Sequence, residues 1–217
     1  KMVIGADGAI LAILRFSTTE CDQIDVLEMP SGRLINTITR RFDLPDDSAK
    51  PDRWVGMALS ADGTRLATGS PNQVTVYDTA TGQEAWNVRA KSDDSKTGRA
   101  GVLCFSPDGA KLASGGWVRN ADNGEVFAEF SIAPRVATAL TRSLADVVEF
   151  NPTGTALALV TRKSVHVLDI IENKQLWTST QSMDRGLPSA KFSPDGRFLA
   201  TSSGNEVLLL DAKTGER

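Results

Sequence analysis

His166, Cys21, Cys104 and the Asp pairs at 46–47 and 93–94 are the side chains of this 217-residue chain whose types most readily carry chemistry. A nucleophilic hydrolase needs a serine activated by an oriented base, so a Ser-His-Asp arrangement has to draw on His166, the single histidine. That residue stands in "SVHVLD", an apolar run of strand character, and no G-x-S-x-G pattern that would lift a serine onto a sharp turn occurs anywhere. His166 is therefore read as a partly covered strand residue. A metal site needs several converging ligands, but there is one His, no C-x-x-C pair, and the Asp pairs lack the spacing and central Gly of a calcium loop. The Gly-bearing stretches "GSPNQ", "SGGW" and "SSGNE" fit turns, where Gly supplies backbone freedom, better than a phosphate cradle. The expectation is a chain with no catalytic residue, no bound cofactor and no metal, and hence not an enzyme.

Composition narrows the class further. With 41% hydrophobic and 24% charged residues the chain has the make-up of an ordinary globular protein. A net charge of −3, with both signs interspersed, offers no basic footprint for nucleic acid. No apolar run approaches the roughly 18 residues of a membrane span, and "KMVIGADGAI" lacks the order of a signal peptide. Cys104 lies in "VLCF" and reads as a small core hydrophobe; sparse cysteine suggests free thiols and a cytoplasmic, reducing setting. The partner expected is then a protein or peptide, or flanking domains of the same polypeptide, rather than nucleic acid or membrane.

The elements that would position such a surface announce themselves by repetition. "FSPDG" stands at 105–109 and again at 192–196, and a relaxed form of the turn recurs as "GADG" at 5–8, "SADG" at 60–63 and "NPTG" at 151–154. The glycines are spaced by 55, 46, 45 and 42 residues. Four residues before each glycine sits Ile4, Leu59, Phe105, Phe150 or Phe192, and two before that Met2, Met57, Leu103, Val148 or Ala190. Period two is the mark of a strand entering a tight turn. A second apolar run follows each turn, then a third that closes on an acid, with Gly or its nearest substitute four residues on: Glu28 to Gly32, Asp78 to Gly82, Asp169 to Asn173, Asp211 to Gly215, and Asn120 to Gly124 in the third unit. Asn173 fits the series, since Asn is after Gly the residue that best tolerates a left-handed backbone. A fourth strand follows, carrying Ile35, Trp86, Phe127 and Trp177, read as packing between neighbouring units.

Four strands every 42 to 55 residues make one propeller blade. In "FSPDGAKLASGG", "MALSADGTRLATGS…VTVYDTATGQEAW" and "AKFSPDGRFLATSS…VLLLDAKTGE" the chain resembles the WD-repeat β-propellers over nearly its whole length. The Trp-Asp and Gly-His signatures are absent, so the hydrogen-bonded tetrad of typical members is not available. Propellers of peptidase gating domains and quinoprotein-like proteins share such turns. The fold expected is all-β, a single partial propeller over 1–217 with blades near 1–40, 55–90, 101–130, 146–180 and 188–217, the last without its outer strand, and most simply part of a larger ring.

Two departures from register stand out. From turn glycine to closing residue the count is 15 in the second, fourth and fifth units, but 20 in the first and 11 in the third. The surplus falls in "RFSTTECDQ", read as a protruding loop. The deficit falls around "GGWVRNADNG", where losing strand residues from inside a blade would leave backbone groups unpaired, so residues missing from the sequence are expected there rather than a shortened blade.

Loops between blades are where a rigid ring presents binding residues. The segments 39–56 and 88–101 mix basic residues with an Asp pair, and Arg41, Arg53, Trp54, Lys91 and Arg99 are the candidates for partner contact, because Arg and Trp dominate interface hot spots. The less polar segment 133–148 suits a short helix or an apolar docking surface. Glu149 and Lys191 hold equivalent first-strand positions in adjacent blades and are candidates to face one another. The function expected is a non-catalytic protein-interaction or sensing scaffold, the recognition module of a larger protein. The alternative is the accessory or gating propeller of an enzyme whose catalytic domain lies outside this chain.

Overall fold

The computed structural model describes residues 1–16, 21–41, 56–70, 73–89, 102–114, 116–130, 146–161, 163–180, 188–203 and 206–217. Among them the chain runs through five sheets. The first holds β1 (Met2–Ile4), β2 (Ile10–Phe16), β3 (Cys21–Glu28) and β4 (Arg33–Arg41), and the second β5 (Gly56–Leu59), β6 (Arg65–Gly69), β7 (Gln73–Asp78) and β8 (Glu84–Arg89). The third holds β9 (Leu103–Phe105), β10 (Lys111–Ser114), β11 (Trp117–Asn120) and β12 (Val126–Glu129). The fourth is β13 (Val147–Phe150), β14 (Ala156–Val160), β15 (Ser164–Asp169) and β16 (Lys174–Thr180), and the fifth β17 (Ser189–Phe192), β18 (Phe198–Ser203) and β19 (Glu206–Asp211). Strands within a sheet follow chain order and pair antiparallel, and the first strand of each sheet lies beside the first strand of the next. The sheets are therefore the radial blades of a propeller, numbered 1 to 5 in chain order.

Each turn after a first strand is built by its own side chains. Ser60 Oγ donates to Asp62 Oδ1 at 2.6 Å and accepts from the Arg65 N–H, while the Thr64 N–H donates to the same carboxylate. Ser106 with Asp108, and Ser193 with Asp195, repeat the arrangement. The serine hydrogen bond holds the carboxyls of Asp62, Asp108 and Asp195 below the usual aspartate range. In blade 4, where Asn151 replaces the serine, its Oδ1 accepts from both Thr155 and Ala156 N–H at 2.9 Å.

Alternation along the strands gives each blade two apolar faces, and each front face seals against the back of its successor. Ile24 and Val26 pack with Met57 and Leu66, and Val74 and Val76 with Phe105 and Leu112. Val118 packs with Val148 and Phe150, and Val165 and Val167 with Ala190, Leu199 and Leu210. At about 1.5–3 kcal/mol for each fully buried aliphatic side chain, these junctions are the main stabilising element of the fold.

Both register departures are visible in the strand ladders. In blade 1 part of the surplus lengthens the hairpin, with Arg15 paired to Gln23 and Phe16 to Asp22, while residues 17–20 of the expected loop lie outside the described residues. In blade 3 the hairpin is simply shorter. Ser114 pairs with Trp117 and Lys111 with Asn120, so the described ladder keeps its backbone partners.

Candidate interaction surfaces

At the outer rim, the closing turns of blades 2, 3 and 5 meet the fourth strand of the blade before. Trp86 Nε1–H donates to the Ala121 carbonyl at 2.8 Å, and Trp177 Nε1–H to the Ala212 carbonyl at 2.9 Å. Each indole lies flat on the glycine that ends the turn. A Cβ at Gly124 would come within 2.8 Å of the Trp86 ring, and one at Gly215 within 2.7 Å of Trp177. Arg65 adds a second donor to the Ala121 carbonyl at 2.8 Å and an ion pair to Asp122. Between blades 1 and 2 an amide does the work of the indole: Asn36 Nδ2 donates to the Ala80 carbonyl at 3.3 Å, and a Cβ at Gly82 would lie 2.6 Å from that nitrogen.

A bulge in every complete blade sets this register. Val76 faces Trp86 and Val167 faces Trp177, whereas Val26 faces Asn36 and Val118 faces Ala128. Sequence spacing had assigned Ile35 and Phe127 to the slot. Each of them is itself the extra residue of its bulge and so falls outside the slot, and Phe127 stands exposed under the Lys111 ammonium. In blade 3 the slot thus holds the small Ala128, and the turn position that follows from the same geometry is Asn173, at φ 51° the one non-glycine with positive φ among the described residues.

Among the described residues, two faces lack a neighbouring blade. On the back of blade 1, Met2 is 71% and Ile4 55% exposed, although their counterparts Met57 and Leu59 pack against blade 1. On the front of blade 5, Val207 is 75% and Leu209 56% exposed, while Val165 and Val167 at the same register in blade 4 are fully covered.

Near the inner strands, Lys191 Nζ reaches Glu149 Oε1 at 2.6 Å, which joins the two residues expected to face one another. Cys104 lies behind them with a free thiol, pushed up by burial to about 11. Cys21 lies on β3, and its side chain is outside the described residues. His166 is more covered than expected, at 6% exposure. Its Nε2 meets Ser164 Oγ at 2.9 Å and its Nδ1 Gln175 Oε1 at 3.2 Å, and burial holds it below the ordinary histidine value despite the Gln175 contact. Ser164 Oγ in turn meets Thr161 Oγ1 at 3.0 Å, so the cluster ties the end of the β14–β15 hairpin.

Of the candidate partner residues, Arg41 ends β4, with its side chain outside the described residues. Arg53, Trp54, Lys91 and Arg99 lie outside them altogether, as does the segment 131–145. Among the described residues, no group of three or more His, Cys, Asp or Glu is placed to hold a metal ion.

A family model described as "Outer membrane protein assembly factor BamB" matches residues 31–217. No curated protein sequence matches the chain. Among solved structures, the chain is similar to one titled "Kuenenia stuttgartiensis Hydrazine Synthase", at TM-score 0.67 and 18% identity over 99% of this chain. It is also similar to one titled "Crystal Structure of Mitotic Checkpoint Complex", at TM-score 0.69 and 16% identity over 100% of this chain. It spans 63% of the length of each of those two chains.

Proposed function

Since the chain belongs to the family of the outer membrane protein assembly factor BamB, we propose that it is a non-catalytic interaction scaffold whose ring of blades holds a protein or peptide partner. The family match carries this reading, because the role in the family's name, the assembly of proteins, is exercised by contact. The use of the polar side chains agrees with it. The turn aspartates are spent on their own turns, and His166 on the end of its hairpin, which leaves the rim and the interblade loops to meet a partner. Within the proposal, Arg41, Arg53, Trp54, Lys91 and Arg99 make the contact, and the scaffold is the recognition module of a larger protein.

Capture of a partner from the source organism's extract, with segments 39–56 and 88–101 replaced by Gly-Ser linkers of equal length, tests it. Loss of the captured protein is the expected result; undiminished capture rejects the nominated face. The second reading, an accessory propeller of an enzyme, draws on the similarity to a structure bearing an enzyme's name. A catalytic domain in the full open reading frame would favour it.

A further inference from the structure

We propose that the outer rim between blades 3 and 4 is a docking site for a tryptophan side chain of a protein partner, whose indole N–H donates to the Ile170 carbonyl. The other three junctions show what this contact requires. Trp86 donates to the Ala121 carbonyl, Trp177 to the Ala212 carbonyl and Asn36 to the Ala80 carbonyl. Ile170 stands where Ala121 and Ala212 do, one residue after the acid or amide that closes the third strand. Its own N–H is bonded back to Thr155, as theirs are to Ala110 and Arg197. The residue facing it from blade 3 is Ala128, at the register position of Trp86 and Trp177 and in one apolar cluster with Ile170. A methyl group has no donor to offer. Arg65, the second donor to Ala121, is replaced by Lys111, whose ammonium lies over the Phe127 ring and 3.8 Å from Asp108 Oδ2. Among the described residues no donor reaches the Ile170 carbonyl, so of the four junctions this one lacks its clasp.

The surroundings select an indole over an amide. Arg65 reaches Asp122 across the junction between blades 2 and 3, so the residues at those two positions adjoin; between blades 3 and 4 they are Lys111 and Ile171. Ile171 shares its peptide group with the Ile170 carbonyl and is exposed, as are Val126 and Phe127 on β12 beside Ala128. Of the other large apolar side chains exposed among the described residues, Met2, Ile4, Val207 and Leu209 belong to the two end faces, and Leu34 and Leu176 belong singly to β4 and β16. The three at this junction therefore form a group that the end faces do not explain. An amide would leave them in water, whereas an indole buries against them while its N–H meets the carbonyl. Tryptophan is also among the side chains that carry most binding energy at protein contacts. Because Ala128 is itself buried, the ring comes from outside the molecule, over Phe127 and Ile171. The inference rests on the scaffold reading in taking the tryptophan from a protein partner, and it adds a contact whose residues lie outside segments 39–56 and 88–101.

The test titrates N-acetyltryptophanamide, which carries the indole between two peptide groups as a partner chain would, into the protein expressed from its full open reading frame. Ile and Val methyl groups are labelled for NMR. Saturable shifts at Ile171 and Val126 are expected, and the 1-methylindole analogue, which has no N–H to donate, should bind about five-fold more weakly. Phe127→Ser removes a wall of the site at an exposed position and should weaken binding, whereas Leu34→Ser, at an exposed position on blade 1, should not. No saturable shift at Ile171, equal affinity for the methylated analogue, or full binding by Phe127→Ser overturns the proposal. So does a shift of Ile171 on dilution of the protein alone, which would give the rim to a second copy of the chain. The probe reads the rim without any partner, so a negative result here leaves the loop-replacement result standing, and the reverse holds too.

Discussion

The junction between blades 2 and 3 and the junction between blades 3 and 4 carry opposite residue types at the same outer-rim positions. In the first, a large Trp86 lies on a turn whose last position is Gly124, so the volume comes from the strand. In the second, the strand offers Ala128, and the turn carries Asn173 at φ 51°. At the first junction strand and turn share one space, so Trp86 sets what the turn position tolerates; the same division is expected where Ala128 precedes Asn173. A left-handed backbone at the turn admits Gly or Asn.

Removing the large partner should have the greatest effect. Trp177→Ala deletes a buried ring and an indole hydrogen bond, and a loss of about 3–5 kcal/mol is expected in denaturant unfolding. A loss under about 1 kcal/mol would mean that the ring covers the turn without supporting it. Gly124→Asn crowds the same kind of contact from the other side and should cost about 1–3 kcal/mol, whereas Asn173→Gly, at a turn whose preceding blade offers only Ala128 in the slot, should change stability by less than about 1 kcal/mol. Equal costs at the two turns would break the comparison.

Much of this was legible before any coordinates. The repeat spacing and the period-two runs place every sheet, and the outer-turn positions emerge with positive φ as their spacing requires, Asn173 included. Phe127 was misplaced because a β-bulge adds a residue that leaves no trace in composition; an aromatic one position early looks the same as one in register. The short hairpin of blade 3 keeps its backbone pairing because both strands shorten together, which spacing alone does not reveal. The pairing of Lys191 with Glu149 was foreseeable, since equivalent first-strand positions in neighbouring blades are adjacent by construction. The partner-facing residues could be nominated only by type, because loop side chains follow no period.

Smaller effects separate the polar contacts inside blades from those at their junctions. His166 is buried as the neutral ring, so its folded value lies below the unfolded one. Its contribution is complete above the ordinary histidine value, about 6.5, and declines as the pH falls through that value towards the folded one, because the unfolded chain takes up the proton first. His166→Leu, which copies Leu208 at the same register in blade 5, should flatten that part of the stability profile; an unchanged slope would show that His166 is not its source. Lys191→Ala should be smallest, under about 1 kcal/mol, since the ammonium is largely exposed and its attraction to Glu149 is screened. A larger loss would make that ion pair a structural link between blades 4 and 5 comparable to the apolar one.

The division of space between strand and turn is tested most directly by a double-mutant cycle on Ala128→Trp and Asn173→Gly, read by equilibrium unfolding. The account predicts that Ala128→Trp alone is destabilising and that adding Asn173→Gly recovers most of the loss, a coupling of about 1–3 kcal/mol. Strictly additive effects would contradict it, for then Ala128 and Asn173 would not share the contact that Trp86 and Gly124 fill.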